Sequence, residues 1–314
     1  MPVNIKENTP LSNYTIYKIG GPARFFVEVK NLGEIKEATE WAQKQNLSFF
    51  IIGAGSNVLV SDKGFNGLAI HIAGGEVRVE GEKLMADAGV MMARAVIESA
   101  KVGLSGFEWG IGIPGTIGGS VRGNAGCFGH EMKDVVESVK IFDSSKATSH
   151  KLQVTGCAFG YRDSVFKKHP EWIILSAILA LKKGDAGEIQ KKIKEITTER
   201  TQKQDIGTKS CGCIFKNVSW TRKDINKEKL LSKLPELEKL KSKPNIPASF
   251  LIDSASLKGK KVGKVFVSPK HANYFVNEGG ATAEEVVMLI ALVKDAVRRK
   301  FGILLEEEIQ YIGF

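Results

Sequence analysis

The stretch from Gly106 to Gly129 contains the residue types that are best suited to binding a ligand. It reads GFEWGIGIPGTIGGSVRGNAGCFG, with nine glycines and one proline. Each interior glycine costs a helix roughly 1 kcal/mol, so the pattern predicts a shaped loop and not a helix. Without Cβ atoms, backbone N–H groups can approach a phosphate closely, and Thr116, Ser120 and Asn124 add further donors. A run of tight turns between buried strands is the alternative interpretation.

A second glycine segment, GAGSN at 53–57, follows directly after an apolar run. It lacks the third glycine of the dinucleotide-binding pattern G-x-G-x-x-G, because Val58 stands at that position. The next residues, VLVSD, predict a strand, so no helix N-terminus follows to receive a pyrophosphate. We therefore expect no classical Rossmann domain, although N–H groups and the Ser56 hydroxyl could still bind phosphate.

The four cysteines predict neither a disulfide framework nor a metal centre. Cys211 and Cys213 form a C-x-C pair with no second pair at zinc-binding spacing, Cys127 and Cys157 stand alone, and the five histidines are scattered. The N-terminal residues have no apolar signal core. We therefore expect a cytoplasmic protein with free thiols and no bound metal.

Apolar periodicity predicts the elements that carry these segments. Residues 24–30 predict a strand, 32–46 an amphipathic helix, and 48–53 a buried strand, which together form a βαβ-like unit. Short strands and a helix at about 91–102 come before the glycine-rich stretch. After it we predict more strands, one of them at 172–182, and a charged helix at 186–203.

The clearest helix is the one predicted at 281–302. Thr282 is expected to cap its start. The apolar residues that share one face of this helix are Val286, Leu289, Ile290, Val293 and Val297. We expect this face to be core and to take no part in chemistry.

Length and charge narrow the classes of partner. The 314 residues are enough for two domains, and the formal net charge of +10 would attract an acidic partner. No nucleic-acid-binding motif accompanies the basic residues, and no apolar run is long enough for a membrane helix. We therefore expect no nucleic acid and no membrane insertion. A membrane surface and a small phosphorylated ligand stay open as acidic partners.

Five separated motifs occur in one order along almost the whole chain: G-A-G-S-N at 53–57, G-I-P-G-T-I-G-G-S-V-R-G-N-A-G at 112–126, F-G-Y-R-D-S at 159–164, C-G-C-I-F-K-N at 211–217 and L-E-E-E-I at 305–309. In this order they resemble the UDP-N-acetylenolpyruvoylglucosamine reductase family, which are flavoenzymes of bacterial peptidoglycan precursor synthesis. The resemblance implies an α+β fold. It places an FAD-binding domain of the vanillyl-alcohol-oxidase (PCMH) type at 1–200, with two α/β subdomains at about 1–73 and 74–200. A smaller C-terminal α/β substrate-binding domain would occupy 201–314.

The resemblance implies non-covalently bound FAD, with NADPH as the reductant. FAD and a UDP-sugar each contain a pyrophosphate, which agrees with two phosphate-binding surfaces on a basic chain. The residues that the resemblance assigns to FAD lie in the two glycine segments: Gly53, Ala54, Gly55, Ser56, Asn57, Pro114, Gly115, Thr116, Gly118, Gly119 and Ser120.

The implied reaction reduces the enolpyruvyl double bond of UDP-N-acetylenolpyruvoylglucosamine, giving UDP-N-acetylmuramate. Hydride addition pushes electrons toward the carboxylate, and Arg162 is expected to stabilise that charge because a guanidinium matches a carboxylate with two hydrogen bonds. Cys213 stands where the family commonly has a serine that donates the proton completing the reduction. A thiol is a stronger acid than a hydroxyl, so we expect Cys213 to be the proton donor. A small buried thiol without a role is the alternative interpretation.

Glu308 matches the glutamate with which this family orients the proton donor or stabilises the enol, although Glu307 replaces the family's proline. In an extended strand, Glu306 and Glu308 would point to the same face. A solvated acidic run is the alternative interpretation. The residues expected on the nucleotide and sugar are Tyr161, Lys216 and Asn217.

Two other function classes stay open at this point. An FAD-dependent sugar or alcohol oxidase of the same fold would reduce oxygen and need no NADPH. A non-catalytic anion-binding protein would carry no flavin. For the reductase we expect a small-molecule substrate and a monomer.

Overall fold

The computed structural model describes residues 3–314, which form two compact units. The N-terminal unit contains residues 3–10, 22–55 and 65–202, and the C-terminal unit contains 11–21, 56–64 and 203–314. The chain thus contributes two short early segments to the C-terminal unit. No pattern in the sequence indicates this exchange.

Short strands and seven α-helices alternate along residues 3–314. The strands are β1 (Lys6–Pro10), β2 (Pro22–Val29), β3 (Phe49–Ile52), β4 (Val58–Val60), β5 (Phe65–Ile72), β6 (Val77–Glu80), β7 (Lys83–Asp87), β8 (Leu104–Ser105), β9 (Gly126–Cys127), β10 (His130–Glu131), β11 (Val136–Asp143), β12 (Thr148–Gln153), β13 (Trp172–Ala180), β14 (Lys182–Lys183), β15 (Val218–Ser219), β16 (Asn245–Ile246), β17 (Lys261–Val262), β18 (Val265–Val267), β19 (Phe275–Asn277) and β20 (Gln310–Ile312). The helices are α1 (Leu32–Lys44), α2 (Met92–Lys101), α3 (Ile117–Gly123), α4 (Ala186–Lys203), α5 (Lys227–Lys233), α6 (Ala248–Ser254) and α7 (Ala283–Phe301).

The first sheet of the N-terminal unit has the strand order β1-β2-β5-β3. Strands β2 and β3 both run parallel to β5, which lies between them, and α1 connects β2 to β3. The Asn31 side chain accepts a hydrogen bond from the Glu34 N–H at 3.0 Å and so caps the start of α1. The predicted βαβ-like unit is confirmed, with β5 inserted between its two strands.

The second sheet of this unit is antiparallel throughout, in the order β12-β11-β13-β7-β6. Helices α2 and α3 share one apolar core with its strands. The residues that α2 and α3 contribute to this core include Ala95, Val96, Ile117 and Val121. This core therefore carries the glycine-rich stretch.

Part of that stretch is helical, so the prediction of a loop throughout was wrong. Helix α3 begins after Thr116, whose hydroxyl accepts a hydrogen bond from the Gly119 N–H at 3.3 Å, and ends at Asn124 with φ 43°. A Cβ atom on Gly118 would lie 2.8 Å from the Ala88 Cβ. Close packing of a glycine face thus outweighs its low helix propensity, which is only a weak guide in a folded protein.

The core of the C-terminal unit is built around α7, as the sequence predicts. Thr282 and Glu285 form a reciprocal capping box at its start, and Gly302 ends it with φ 77°. All five residues of the predicted apolar face are buried. Strand β20 pairs parallel with β4, and β17, β18 and β19 form a small antiparallel sheet. Among the helices in residues 3–314, none has the length and apolarity needed to cross a bilayer.

Candidate active site

The two glycine segments meet in the N-terminal unit, at Gly53 and Thr116. A Cβ atom on Gly53 would lie 2.5 Å from the Thr116 Oγ1, so this approach requires glycine at residue 53. Gly55 has φ +61°, a conformation that glycine adopts without strain. The Gly53 backbone therefore packs directly against the Thr116 side chain, which brings the two glycine segments together at one place. The arrangement fits the cofactor role expected of residues 53–55 and 114–120, which stays a prediction.

Several amide N–H groups around α3 are already used inside the protein. The Ile117 N–H donates to the Val90 carbonyl at 2.8 Å, the Gly118 N–H to the Ala88 carbonyl at 2.9 Å, and the Gly119 N–H to Thr116. These three amides do not form the free donor array that the sequence suggested. Of the two α3 glycines expected on FAD, Gly119 is exposed to a ligand, whereas Gly118 is buried against Ala88.

The candidate FAD residues differ in accessibility. Pro114 and Gly119 are exposed, and Gly53, Ala54, Ser56 and Asn57 are partly exposed. Those that are buried are Gly55, Gly115, Thr116, Gly118 and Ser120. A ligand could therefore touch the first group directly, while the second group shapes the surface.

Arg162 lies in a tight turn of the N-terminal unit. Gly160 and Asp163 exchange two backbone hydrogen bonds, at 2.9 and 3.2 Å, and Arg162 has φ 55°. Positive φ is rare for a residue with a side chain and often marks a functional site. The Arg162 Nη2 donates to the Gly126 carbonyl at 2.9 Å, and its guanidinium carbon lies 5.4 Å from the centre of the Tyr161 ring. The glycine-rich stretch thus orients the guanidinium.

Asn124 supports this turn and does not serve as a ligand donor. It is fully buried, and its Nδ2 donates to the Gly160 carbonyl at 2.8 Å and to Glu131 Oε2 at 2.9 Å. Its Oδ1 accepts from the Lys133 N–H at 3.0 Å. The donor role suggested for Asn124 from its residue type is therefore wrong, because the side chain is occupied within the fold.

Arg200 gave no signal in the sequence, since it lies in the charged pattern of α4. It is 6% exposed, and a Cβ atom on Gly112 would lie 3.0 Å from its Nε. Burial raises the pKa of the neighbouring Cys127 thiol, and Arg200 partly opposes this rise. Among the described residues, the Arg200 Nε has no hydrogen-bond partner. A buried cation beside a glycine-rich loop favours a polar or anionic ligand there.

The C-terminal unit brings together Cys213, Glu308 and Cys211. Phe215 and Glu307 form an antiparallel bridge, flanked by a hydrogen bond from the Glu308 N–H to the Ile214 carbonyl at 2.7 Å. Cys211 is 2% exposed, and burial raises the pKa of its thiol far above the ordinary range. The Cys213 thiol and the Glu308 carboxylate raise this pKa further. The same Glu308 N–H bond places Glu308 opposite Ile214, the residue after Cys213.

Segment 56–64 reaches the same region. The Gln310 N–H donates to the Asn57 carbonyl at 3.0 Å, and the Asn57 Nδ2 donates to the Glu308 carbonyl at 3.3 Å. One of the candidate FAD residues therefore holds the backbone of a candidate catalytic residue.

Two of the three residues expected on the nucleotide and sugar, Lys216 and Asn217, already have partners within the C-terminal unit. The Lys216 Nζ lies 3.8 Å from Glu306 Oε2, and the Arg222 Nη1 lies 3.6 Å from Glu306 Oε1. The Asn217 Oδ1 accepts from the Ala248 N–H at 3.1 Å, at the first residue of α6. Asn217 thus has a structural contact in addition to the role that the sequence predicts.

The cysteines are all thiols, and residues 3–314 contain no cluster of three His, Cys, Asp or Glu side chains that could hold a metal ion.

Two family descriptions match the chain. Residues 23–152 match the FAD binding domain family, and residues 202–312 match the family described as UDP-N-acetylenolpyruvoylglucosamine reductase, C-terminal domain. These matches confirm the α+β fold class, in which an FAD-binding domain comes before a reductase-type C-terminal domain.

Relatives match the chain over nearly its full length. The UDP-N-acetylenolpyruvoylglucosamine reductase of Solibacter usitatus is 35% identical, covering 98% of this chain and 97% of the relative. The enzyme of the same name from Carboxydothermus hydrogenoformans is 36% identical, covering 98% and 94%. The crystal structure of the reductase from Thermus caldophilus aligns with a TM-score of 0.76 at 31% identity, covering 99% of this chain and 98% of that one. The chain belongs to the UDP-N-acetylenolpyruvoylglucosamine reductase family.

Proposed function

We propose that this protein reduces the enolpyruvyl group of UDP-N-acetylenolpyruvoylglucosamine to the lactyl ether of UDP-N-acetylmuramate, with FAD as cofactor and NADPH as reductant. The observation that carries the proposal is that relatives named for this reductase match both halves of the chain. The match at 202–312 to the reductase's own C-terminal domain favours this activity over the sugar or alcohol oxidase.

The two glycine segments are the residues that would hold FAD. Their contact at Gly53 and Thr116 brings the two segments together, and the buried Arg200 adds a positive charge beside the stretch from Gly106 to Gly129. When bound, FAD supplies the hydride, received from NADPH, that adds to one carbon of the enolpyruvyl double bond. The protein must then stabilise the electron pair left on the other carbon and supply a proton to it.

Arg162 is suited to stabilising the negative charge that hydride addition moves into the substrate carboxylate. Its backbone is fixed by the turn from Gly160 to Asp163, and its Nη2 is held by the Gly126 carbonyl. A guanidinium that is already oriented need not reorganise as charge develops, which is the condition for effective electrostatic stabilisation.

Cys213 is suited to completing the reaction by proton donation. The thiol gives its proton to the carbon that carries the electron pair, and solvent then returns a proton to the thiolate. The Glu308 N–H bonds to the carbonyl of Ile214, the residue after Cys213, so Glu308 is suited to orienting the donor. The neutral Cys211 thiol adds no further charge.

The substrate of this reaction is a small molecule, which suits a protein with isolated loops and turns as candidate binding elements. That the protein works in the cytoplasm, as a monomer and without nucleic acid stays a prediction from the sequence.

The test is the dependence of NADPH consumption on each possible acceptor. We expect steady oxidation of NADPH only when the enolpyruvyl sugar is present, with or without oxygen. NADPH-independent oxygen consumption with a sugar or alcohol would support the oxidase instead. Purified protein that binds no FAD when FAD is added would contradict both.

A further inference from the structure

Glu307 carries a side-chain network that the proposed mechanism does not use. One carboxylate oxygen lies 2.6 Å from the Lys294 Nζ on α7, and the other accepts the Tyr311 hydroxyl at 2.6 Å on β20. Burial opposes the charge of this carboxylate, but the Lys294 and Tyr311 contacts outweigh it and lower the pKa of Glu307. Glu307 is therefore a charged, partly buried link between a helix and a strand.

The backbone of Glu307 is held independently of its side chain. The two ladder bonds around its bridge with Phe215 are made by its neighbours, from the Lys216 N–H to the Glu306 carbonyl at 2.8 Å and from the Glu308 N–H to the Ile214 carbonyl at 2.7 Å. The ladder thus sets the register of residues 306–308. The side chain adds a lateral tie to α7 and β20.

The Tyr311 end of this network is coupled electrostatically to the buried thiol of Cys211. Burial raises the pKa of the Tyr311 hydroxyl, and Glu307 and the Cys211 thiol raise it further. The pKa of Cys211 is in turn raised by the Cys213 thiol and by the Glu308 carboxylate. Hydrogen bonds therefore run from Lys294 through Glu307 to Tyr311, and Tyr311 is coupled electrostatically to the buried Cys211 thiol, two residues before the candidate proton donor.

We propose that Glu307 is a positioning residue, whose ties to Lys294 and Tyr311 fix Glu308 relative to Cys213. The inference rests on the proposed function, because it needs Glu308 to act in that reaction. If residues 306–308 were held only by the two backbone hydrogen bonds around their bridge, they could shift by the few tenths of an ångström to which proton transfer is sensitive. The ion pair on α7 restrains that shift.

The experiment measures the two half-reactions separately in the full chain with bound FAD. Glu307→Gln removes the charge but keeps the shape, and Lys294→Gln breaks the same pair from the helix side. We expect either change to leave flavin reduction by NADPH within about twofold of wild type and to slow the reaction with the enolpyruvyl sugar roughly tenfold, with little change in KM. The effect should vanish when Glu308→Gln is already present, because Glu307 acts through Glu308.

The matched control is Asp253→Asn, which breaks another ion pair of the C-terminal unit, 2.6 Å from Asp253 Oδ2 to the Lys258 Nζ. It should leave both half-reactions unchanged. Wild-type rates in Glu307→Gln and Lys294→Gln would overturn the proposal. So would an effect that adds to that of Glu308→Gln, or one that Asp253→Asn reproduces, since each indicates a general loss of stability. A wild-type rate in Glu308→Gln alone would instead refute the role of Glu308, and with it this inference.

Discussion

Replacing Gly53 with alanine tests whether contact between the two glycine segments shapes the cofactor site. The new Cβ would lie 2.5 Å from the Thr116 Oγ1 and 3.2 Å from its Cγ2, so Thr116 must rotate or the segments must separate. Rotation would take the hydroxyl away from the Gly119 N–H and so remove the cap of α3, which costs about 1 kcal/mol. Overpacking adds about 1 to 3 kcal/mol where the loops cannot yield. Together these costs are about 2–4 kcal/mol, and since about 1.4 kcal/mol is tenfold, we expect FAD affinity to fall roughly 30- to 700-fold.

The assay is titration of flavin-free protein with FAD, followed by quenching of flavin fluorescence. Gly123→Ala is the control, because a Cβ atom there would have nothing within 4 Å, and it should bind FAD within about twofold of wild type. Thr116→Ala removes both clashing atoms, so adding Gly53→Ala to it should cost little more. Wild-type FAD affinity in Gly53→Ala, or full additivity with Thr116→Ala, would refute the reasoning.

Four further outcomes follow from the contacts described above. Cys213→Ala should leave flavin reduction by NADPH intact and slow the reaction with the enolpyruvyl sugar roughly 10²- to 10⁴-fold, whereas Cys213→Ser should keep much of the rate. Rapid-mixing spectra check this, and near-wild-type turnover of the alanine variant would rule out the donor role. Glu108→Gln should lower the free energy of unfolding in urea by about 1–3 kcal/mol, because Glu108 is 2% exposed and its carboxylate accepts hydrogen bonds from the Ser105 hydroxyl at 2.6 Å and the Gly106 N–H at 2.9 Å. An unchanged unfolding midpoint would contradict this role. The pKa of Glu307 is lowered from an ordinary value of 4.5, so its pair with Lys294 stabilises the protein above that pH and loses this effect as pH falls through the folded pKa. The difference in Tm between wild type and Glu307→Gln should therefore shrink on acidification, and a constant difference would contradict this. Burial raises the pKa of Cys157 to about 11, so near neutral pH iodoacetamide should alkylate Cys213 long before Cys157. Mass spectrometry of the alkylated protein checks this, and the reverse order would contradict the inert, buried state of Cys157.

The sequence predicts the elements whose signals are local. Helix α7 could be predicted because its apolar spacing, its threonine cap and its terminal glycine all agree. The βαβ-like unit follows equally from periodicity. The family could be identified because five motifs stand in one order, which is a far more specific signal than any single glycine pattern.

The contacts that depend on tertiary packing could not be predicted. Helix α3 forms despite its glycines because Gly118 packs on Ala88, a residue distant in sequence. Asn124 has the residue type of a ligand donor, yet it is used inside the fold. Arg200 is one basic residue in a charged helix pattern until burial distinguishes it.

The acidic run at 306–308 shows the same limit within one segment. Their residue type alone does not indicate which of the three glutamates is exposed to solvent, which pairs with a lysine and which lies on the side of Cys211 and Cys213. The structure separates them: Glu306 faces Lys216 and Arg222, Glu307 joins α7 to β20, and the Glu308 N–H donates to the carbonyl of Ile214, the residue after Cys213. The exchange of 11–21 and 56–64 into the C-terminal unit had no sequence signal either, because neither segment carries a distinctive pattern.

The most direct test of the proposed activity is a single turnover without oxygen. The protein with bound FAD is reduced by one equivalent of NADPH and then mixed with one equivalent of the enolpyruvyl sugar. We expect the flavin absorbance to return on mixing, with mass spectrometry showing the sugar converted to the species that carries two more hydrogens. Recovery of the sugar unchanged, with flavin absorbance returning only after oxygen is admitted, would contradict the proposed function.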